Sequence, residues 1–133
     1  MSSLAKHLAN YIAGYGVRAF DWEGANCCHF AAGWVAARTG ANPMAGLATT
    51  PSERAARRLI TALGGTLADA LTRQLGREPI PPAMARLGDV VLLEHEGRPV
   101  VAICNGINAV SVVDQGGTAF LPMTLATHAW RLA

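Results

Sequence analysis

The sequence predicts one α+β domain, with helices in its first part and an antiparallel sheet in its second. Apolar residues recur at helical spacing as far as Gly76, whereas the chain after Gly88 consists of β-branched runs separated by glycine-containing turns. Helices and strands that are segregated in this way are typical of the α+β class. The 133 residues suit a single domain over 1–133, which needs no disulfide or metal to hold its core.

The first two predicted helices cover 3–15 and 27–39. A stripe of leucine, isoleucine and tyrosine side chains at helical spacing marks the first helix, and Ser2 or Ser3 is its N-cap. Asn26 is a good N-cap for the second helix, which is apolar on nearly every side. Such a helix is normally buried, so we expect it to be the central helix and to pack on the sheet.

The third and fourth predicted helices have clear start signals. Thr50 is the predicted N-cap of the third helix, with Pro51 at its first position and Glu53 completing a capping box. Thr66 begins the fourth helix and Gly76 ends it. The sheet that follows is predicted to contain strands near 89–94, 99–105, 108–113 and 118–121, a helical turn within 123–128 and a last strand formed by "AWRLA".

The composition argues against several classes of partner. A net charge of +2 is too small to indicate nucleic-acid binding, and we interpret Arg54, Arg57 and Arg58 as a solvated helix face. No run approaches the roughly 18 apolar residues of a membrane span, and the start of the chain does not resemble a signal peptide. Because only 15% of the residues are charged and 51% are hydrophobic, we expect the chain to bury surface against partner proteins.

The cysteines suggest a possible chemistry. There are three, two of them adjacent, which favours reduced thiols in a protein that folds in a cytoplasm over a disulfide framework. Cys27 lies in the first turn of the predicted central helix, where backbone N–H groups and the helix dipole favour a thiolate. Cys28 points about 100° further round the helix. A nucleophilic cysteine also needs a base, usually histidine, and a third group that orients the base.

The order of these motifs resembles the NlpC/P60 superfamily of papain-like cysteine peptidases. Its members read Asp-Cys-Ser-Gly at the start of a central helix, then Gly-Asp-Val-Val, then a strand similar to His-Val-Gly-Ile-Tyr. The chain is more similar still to a phage-encoded group of short proteins beside that family, which combines a Trp-Gly-x-x-Asp-Cys-Cys start with a terminal Ala-Trp-Arg. The matching residues here are Trp22, Cys27-Cys28, "TGANP", "GDVVLL" at Gly88–Leu93, "VVAICNG" at Val100–Gly106 and "AWRL".

The resemblance implies a papain-like fold with Cys27 at the nucleophile position. It also implies that Val100 stands where the peptidases have their catalytic histidine, and that the orienting polar residue is replaced near Val112. Neither valine can accept a proton. His95 is a weak candidate for a substitute base, whereas His7, His29 and His128 are interpreted as surface or structural side chains. Cys27 is therefore either a working nucleophile or a remnant of one that now serves in packing.

The other two cysteines are interpreted as buried apolar side chains. Period two places Val100, Ala102 and Cys104 on one face of a strand. If that face meets the central helix, Cys27, Cys28, Cys104 and His29 are a conceivable metal site. The spacing is nevertheless unlike the usual Cys-x-x-Cys, so we predict neither a metal nor a cofactor.

Two functions remain open on the sequence. The resemblance implies a structural component of a phage or phage-like tail tip or baseplate, with a degenerate NlpC/P60 fold and tail hub or baseplate proteins as partners. Such a protein would be present in the host cytoplasm during assembly and then in the virion tail. The alternative is an active cysteine peptidase, with Cys27 as nucleophile, that cleaves peptidoglycan stem peptides while the tail crosses the cell wall.

Overall fold

A computed structural model describes residues 2–15, 26–47, 52–112 and 117–132. Trp22, Thr50, Pro51 and Val113 lie outside the described residues. Within these described residues, four helices precede a five-stranded antiparallel sheet, which confirms the predicted α+β class. The elements are α1 (Ser3–Tyr15), α2 (Cys27–Thr39), α3 (Glu53–Leu63), α4 (Leu67–Leu75), β1 (Val90–His95), β2 (Arg98–Cys104), β3 (Asn108–Val112), β4 (Thr118–Pro122) and β5 (Ala126–Trp130), with short 3-10 turns at Pro82–Met84 and Met123–Leu125.

The sheet has the order β4-β3-β2-β1-β5. Hairpin connections place β1 to β4 side by side, as expected for strands joined by short turns. The last strand, β5, returns to the free side of β1, where Trp130 lies opposite Val90 and Ala129 opposite Val91. β1 is therefore an interior strand, and both of its neighbours pair with it over most of its length.

Each face of the sheet is covered by a different layer. Alternate strand residues meet α1, α2 and α4 on one face, which we call the helix-facing side. The remaining strand residues meet the segment around Ile80 and Ala85, and also Met123, on the opposite side. The helix-facing side contains Val90, Leu92, Val101, Ile103, Val110, Val112 and Trp130; the opposite side contains Val91, Leu93, Ala102, Cys104, Ala109, Leu121 and Ala129.

Helix α2 is the buried central helix that its composition predicts. The Asn26 side chain caps its start, and Gly40 ends it in the left-handed conformation at φ 82°. The Trp34 side chain is completely buried, and its indole Nε1 donates a 2.8 Å hydrogen bond to the carbonyl oxygen of Gly88. This bond ties α2 to the turn before β1. Gly88 has φ 91°, which favours glycine at this turn.

The predicted start of α3 is wrong. The helix begins at Glu53, and its N-cap is Ser52, whose hydroxyl accepts a hydrogen bond from the Ala55 N–H. Serine caps a helix at least as well as threonine. Ser52 directly precedes the first helical residue, Glu53, and therefore occupies the N-cap position. Glu53 instead forms a 2.9 Å ion pair with Arg57 one turn later. Arg57 is exposed, as are Arg54 and Arg58, which confirms a solvated basic face.

The end of the chain also differs from its prediction. The helical turn covers only Met123–Leu125, and the last strand is Ala126–Trp130, three residues earlier than predicted. Pairing with β1 decides this shift, because it places Ala126 opposite Leu93. In the part of the chain that the structure describes, no helix has the length and apolar character needed to cross a bilayer.

Candidate functional site

The two adjacent cysteines are the first residues of α2, as predicted, and both are reduced thiols with partial exposure. Asn26, only 6% exposed, holds the chain at this point. Its side-chain Oδ1 accepts a 3.0 Å hydrogen bond from the His29 N–H, and its backbone oxygen accepts one of 2.9 Å from the Phe30 N–H. Cys27 is thus fixed in the first turn of a helix whose start is well capped.

Both thiols pack against the same apolar cluster. On the sheet this cluster is formed by Val90, Leu92, Val101 and Trp130, and α2 adds Ala31 and Val35, one and two turns after Cys27. Helix α4 closes the cluster from the side, where the Trp130 indole Nε1 donates a 3.1 Å hydrogen bond to Thr72 Oγ1. The surroundings of the two sulfur atoms on the sheet side are therefore aliphatic and aromatic carbon.

Two of the three thiols, in separate environments, have a raised pKa. The pKa of Cys28 is raised well above its usual range by a hydrogen bond with the Cys27 side chain, by burial and by the charge that Cys27 would carry. Burial also raises the pKa of Cys104, helped by the nearby Asp89 carboxylate and opposed by the Gly106 N–H, which lies 3.4 Å from Sγ. Neither thiol is suited to act as a nucleophile at neutral pH.

Val100 does not face Cys27, contrary to the sequence prediction. It packs on the opposite side of the sheet, next to Leu93, its partner across the strands. The β2 residues that face α2 are Val101 and Ile103, because β2 pairs Val101 with Leu92. A shift of one residue in a strand exchanges its two faces, and the motif spacing left that single residue undetermined. An aliphatic side chain still occupies the helix-facing position.

Val112 does lie on the helix-facing side, packed among the aromatic residues of α1 and α2. It therefore lies on the opposite face from Val100, and the two valines cannot mark one site.

Cys104 shares the face of Val100, so the sheet separates its side chain from those of Cys27 and Cys28. The conceivable four-ligand metal site is thus not assembled. Within residues 2–15, 26–47, 52–112 and 117–132, no group of three or more potential ligands could hold a metal ion.

The structure does not bring His95 to Cys27. His95 is the last residue of β1 and alternates with Leu93 and Val91, whose side chains lie on the opposite side of the sheet. Its Nε2 is 3.9 Å from the Glu96 carboxylate at the hairpin turn. Among the other histidines, His128 stacks on Trp130, with ring centroids 5.9 Å apart. His7 contacts Trp34 in a tilted arrangement, with ring centroids 4.9 Å apart.

Comparison with models of protein families shows which family the chain belongs to. A family model described as a domain of unknown function, DUF6950, matches residues 1–132. The chain belongs to the DUF6950 family. No curated protein matches it. The match covers the helices and the sheet together, so the DUF6950 domain comprises the whole α+β unit and all three of its cysteines.

The DUF6950 domain also contains an apolar groove that the sequence did not reveal. It has a volume of about 80 Å³ and lies between α2, α3, α4 and the segment Pro43–Leu47. The Gln74 side chain donates a 2.8 Å hydrogen bond to the Pro43 carbonyl oxygen and holds that segment against α4. The Cys28 side chain lines the groove. Three helices with separate apolar stripes form this space, so the individual stripes could predict burial but not the groove.

Proposed function

We propose that this DUF6950 protein is a structural component of a phage or phage-like tail tip or baseplate, and that it has a degenerate NlpC/P60-like fold. In the host cytoplasm it would be assembled with tail hub or baseplate proteins, and it would remain in the virion tail. A cysteine at the start of a buried helix on an antiparallel sheet agrees with the architecture that the resemblance implies. Fold and activity are separable, because catalysis depends on a few side chains of a site.

One observation carries the non-enzymatic part of the proposal. On the helix-facing side, β2 presents the aliphatic residues Val101 and Ile103, and the cluster around Cys27 is completed by apolar neighbours. Val101 cannot accept a proton from the Cys27 thiol. Without a general base the reaction loses roughly 10²–10⁴-fold in rate, which is enough to make peptide cleavage ineffective.

The alternative, an active peptidase that cleaves peptidoglycan stem peptides, is favoured by a different feature. Cys27 is a partly exposed thiol in the first turn of a capped helix, where the dipole and free N–H groups favour negative charge. The same N–H groups would donate hydrogen bonds to the oxyanion that forms when the thiolate attacks a peptide carbonyl. This alternative requires a base from outside the Cys27 cluster, for instance from a neighbouring protein.

The first test is cleavage by the purified chain. It is incubated with peptidoglycan fragments, and new amine termini are counted for wild type, Cys27→Ala and the control variant Cys104→Ala. We expect wild type and Cys27→Ala to agree within about twofold, because no base assists the thiol. Cleavage that is lost in Cys27→Ala and kept in Cys104→Ala would contradict the structural role and establish the peptidase.

The second test concerns the partners. Purified tails are analysed by mass spectrometry for this chain, and particles assembled without it are scored for complete tails. We expect the chain to be present in stoichiometric amounts and tails to be incomplete without it. Complete, infectious particles that lack the chain would overturn the proposed role even if no cleavage is found.

A further inference from the structure

The two edges of the sheet are protected to different degrees. Next to β5, the Ile80 N–H donates a 2.7 Å hydrogen bond to the Ala129 carbonyl, and the Ala129 N–H returns one of 3.3 Å. The edge strand β4, in contrast, pairs only with β3 within the described part of the chain. Its sequence, Thr-Ala-Phe-Leu-Pro, contains no charged residue. Charged side chains, especially lysine, are the usual protection of an edge strand against further pairing.

Hydrogen bonds across the sheet fix the direction in which each backbone group points. The Cys104 N–H donates to the Asp89 carbonyl and its own carbonyl accepts from Gly88 N–H, both at 2.8 Å, so Cys104 is bonded towards β1. The next residue, Asn105, donates from its N–H to the Asn108 carbonyl at 2.9 Å and is bonded towards β3. Backbone groups of successive residues in an antiparallel sheet alternate in this way.

The alternation extends to the edge. Ile103, like Asn105, is bonded towards β3, where its partner Val110 points back to β2. The neighbours of Val110 are then bonded towards β4, where they pair with Ala119 and Leu121. The outward-pointing backbone groups of β4 consequently belong to Thr118, Phe120 and Pro122.

These three residues form a self-complementary set. In an antiparallel pair centred on Phe120, the N–H and carbonyl of Phe120 bond to those of Phe120 in a second copy. Thr118 then lies opposite Pro122, and each Thr118 N–H donates to a Pro122 carbonyl. Proline has no N–H, and Pro122 lies at the end of the pairing, where this register does not depend on a hydrogen bond from it. The ladder of hydrogen bonds between the two copies therefore ends at Pro122. In no other antiparallel register of two β4 strands does Phe120 lie on the twofold axis that relates the two copies.

The side chains favour the same pairing. The Phe120 side chain is 57% exposed although it is large and apolar. Directly opposite residues in a hydrogen-bonded pair have Cα atoms about 5.5 Å apart, so the two phenylalanine rings would cover each other. We propose that two copies of this chain associate through β4, antiparallel and centred on Phe120, so that their sheets become continuous. This association requires neither an active Cys27 nor a tail.

The pairing is expected to be weak. A strand of five residues contributes four hydrogen bonds and one aromatic pair, which buries less than the roughly 1,200 Å² of a stable interface. A dissociation constant on the order of 100 μM is therefore expected, and association should be visible only at high protein concentration.

Sedimentation equilibrium from about 5 to about 500 μM tests the proposal, because this range spans the expected dissociation constant. The variant Phe120→Lys places a charge at the centre of the pairing on an exposed position, so its own fold should be kept. Met84→Lys is a matched control, because Met84 is 55% exposed and lies in the 3-10 turn near the other edge. We expect wild type and Met84→Lys to dimerise alike and Phe120→Lys to remain monomeric, with at least a tenfold loss of association.

Amide hydrogen exchange distinguishes strand pairing from general apolar association. As concentration rises, the amides of Thr118 and Phe120 should gain protection, whereas those of Ala119 and Leu121 are already bonded to β3 and should change little. A wild-type chain that is monomeric at the highest concentration would overturn the proposal. A dimer that persists in Phe120→Lys, or one that leaves the Thr118 and Phe120 amides unprotected, would overturn it as well.

Discussion

At the scale of single residues, the thiol pair shows how packing changes the chemistry that a sequence suggests. A helix start favours a thiolate at Cys27, but the same site puts Cys28 in an apolar surrounding and in hydrogen-bond contact with it. Only one of two adjacent thiols can ionise readily when they share a hydrogen bond. Cys28 is thus a protonated neighbour of Cys27 and not a second nucleophile.

Stability should therefore fall in alkaline solution. Since the native state holds the Cys28 proton to a higher pH than the unfolded chain does, the free energy of unfolding is unaffected below the unfolded thiol pKa of about 8.5. Above that pH it falls by up to about 1.4 kcal/mol per pH unit for this group, until the raised native pKa is reached. Urea unfolding between about pH 7 and pH 10 measures the slope.

The matched comparison is Cys28→Ala, in which the alkaline decline should be shallower. Cys104 contributes in the same direction, because burial raises its pKa too, so some decline remains in that variant. A slope that is identical in wild type and Cys28→Ala would show that the Cys28 thiol does not titrate differently in the two states.

At the scale of elements, the helices differ sharply in how much of their stability comes from packing. Helix α2 buries Phe30, Trp34 and three smaller side chains, whereas no residue of α3 is buried. The apolar stripe of α3 instead forms part of the wall of the half-open groove, next to α4. A helix of 11 residues has little stability without tertiary contacts.

We expect the amides of α3 to exchange with solvent at least tenfold faster than those of α2 under native conditions, because local opening of α3 exposes little apolar surface. Hydrogen exchange read by peptide mass spectrometry measures this difference. Ser52→Ala should widen it, since loss of the N-cap weakens the helix by about 0.5–2 kcal/mol. Equal protection of α2 and α3 would mean that the groove is covered in solution.

At the scale of the whole molecule, Asp89 connects segments that are far apart in the sequence. The Asp89 residue is only 4% exposed. It accepts hydrogen bonds from the Arg86 N–H at 2.9 Å and the Leu132 N–H at 3.3 Å, and Arg131 Nε is 3.6 Å away. Asp89 therefore joins the turn before β1 to the residues after β5.

Replacing Asp89 by alanine should lower the free energy of unfolding by roughly 2–4 kcal/mol, because it leaves buried donors without an acceptor. Urea unfolding measures this loss. The control is Asp69→Ala, an exposed carboxylate in the first turn of α4, which should cost less than about 1 kcal/mol. A loss at Asp89 no larger than at Asp69 would contradict the role of this carboxylate in holding the two segments together.

The Gly-Asp pair that supported the family resemblance thus has a structural explanation in this chain. Gly88 adopts a left-handed conformation and accepts the Trp34 hydrogen bond, and Asp89 closes the end of the sheet. Both roles concern the fold and say nothing about peptide cleavage.

The sequence by itself determined the elements whose signals are local. The apolar composition of 27–39, the Asn26 cap and the terminal Gly40 were sufficient for α2, and the hairpin turns were sufficient for most of the strand positions. Local signals could not decide between Thr50 and Ser52 as the cap of α3, because both residue types stabilise a helix start.

Tertiary structure alone decided which strand residues face Cys27. Val100 and Val101 are equivalent in the local sequence, and only the pairing of β2 with β1 and its packing under α2 direct Val101 towards the cysteines. The same holds for the groove and for the free edge of β4, which arise where separate elements meet or fail to meet. Successive side chains of a strand point to opposite faces of the sheet. A motif whose position is known only to within one residue therefore predicts where the strand lies, but not which of its residues face the site.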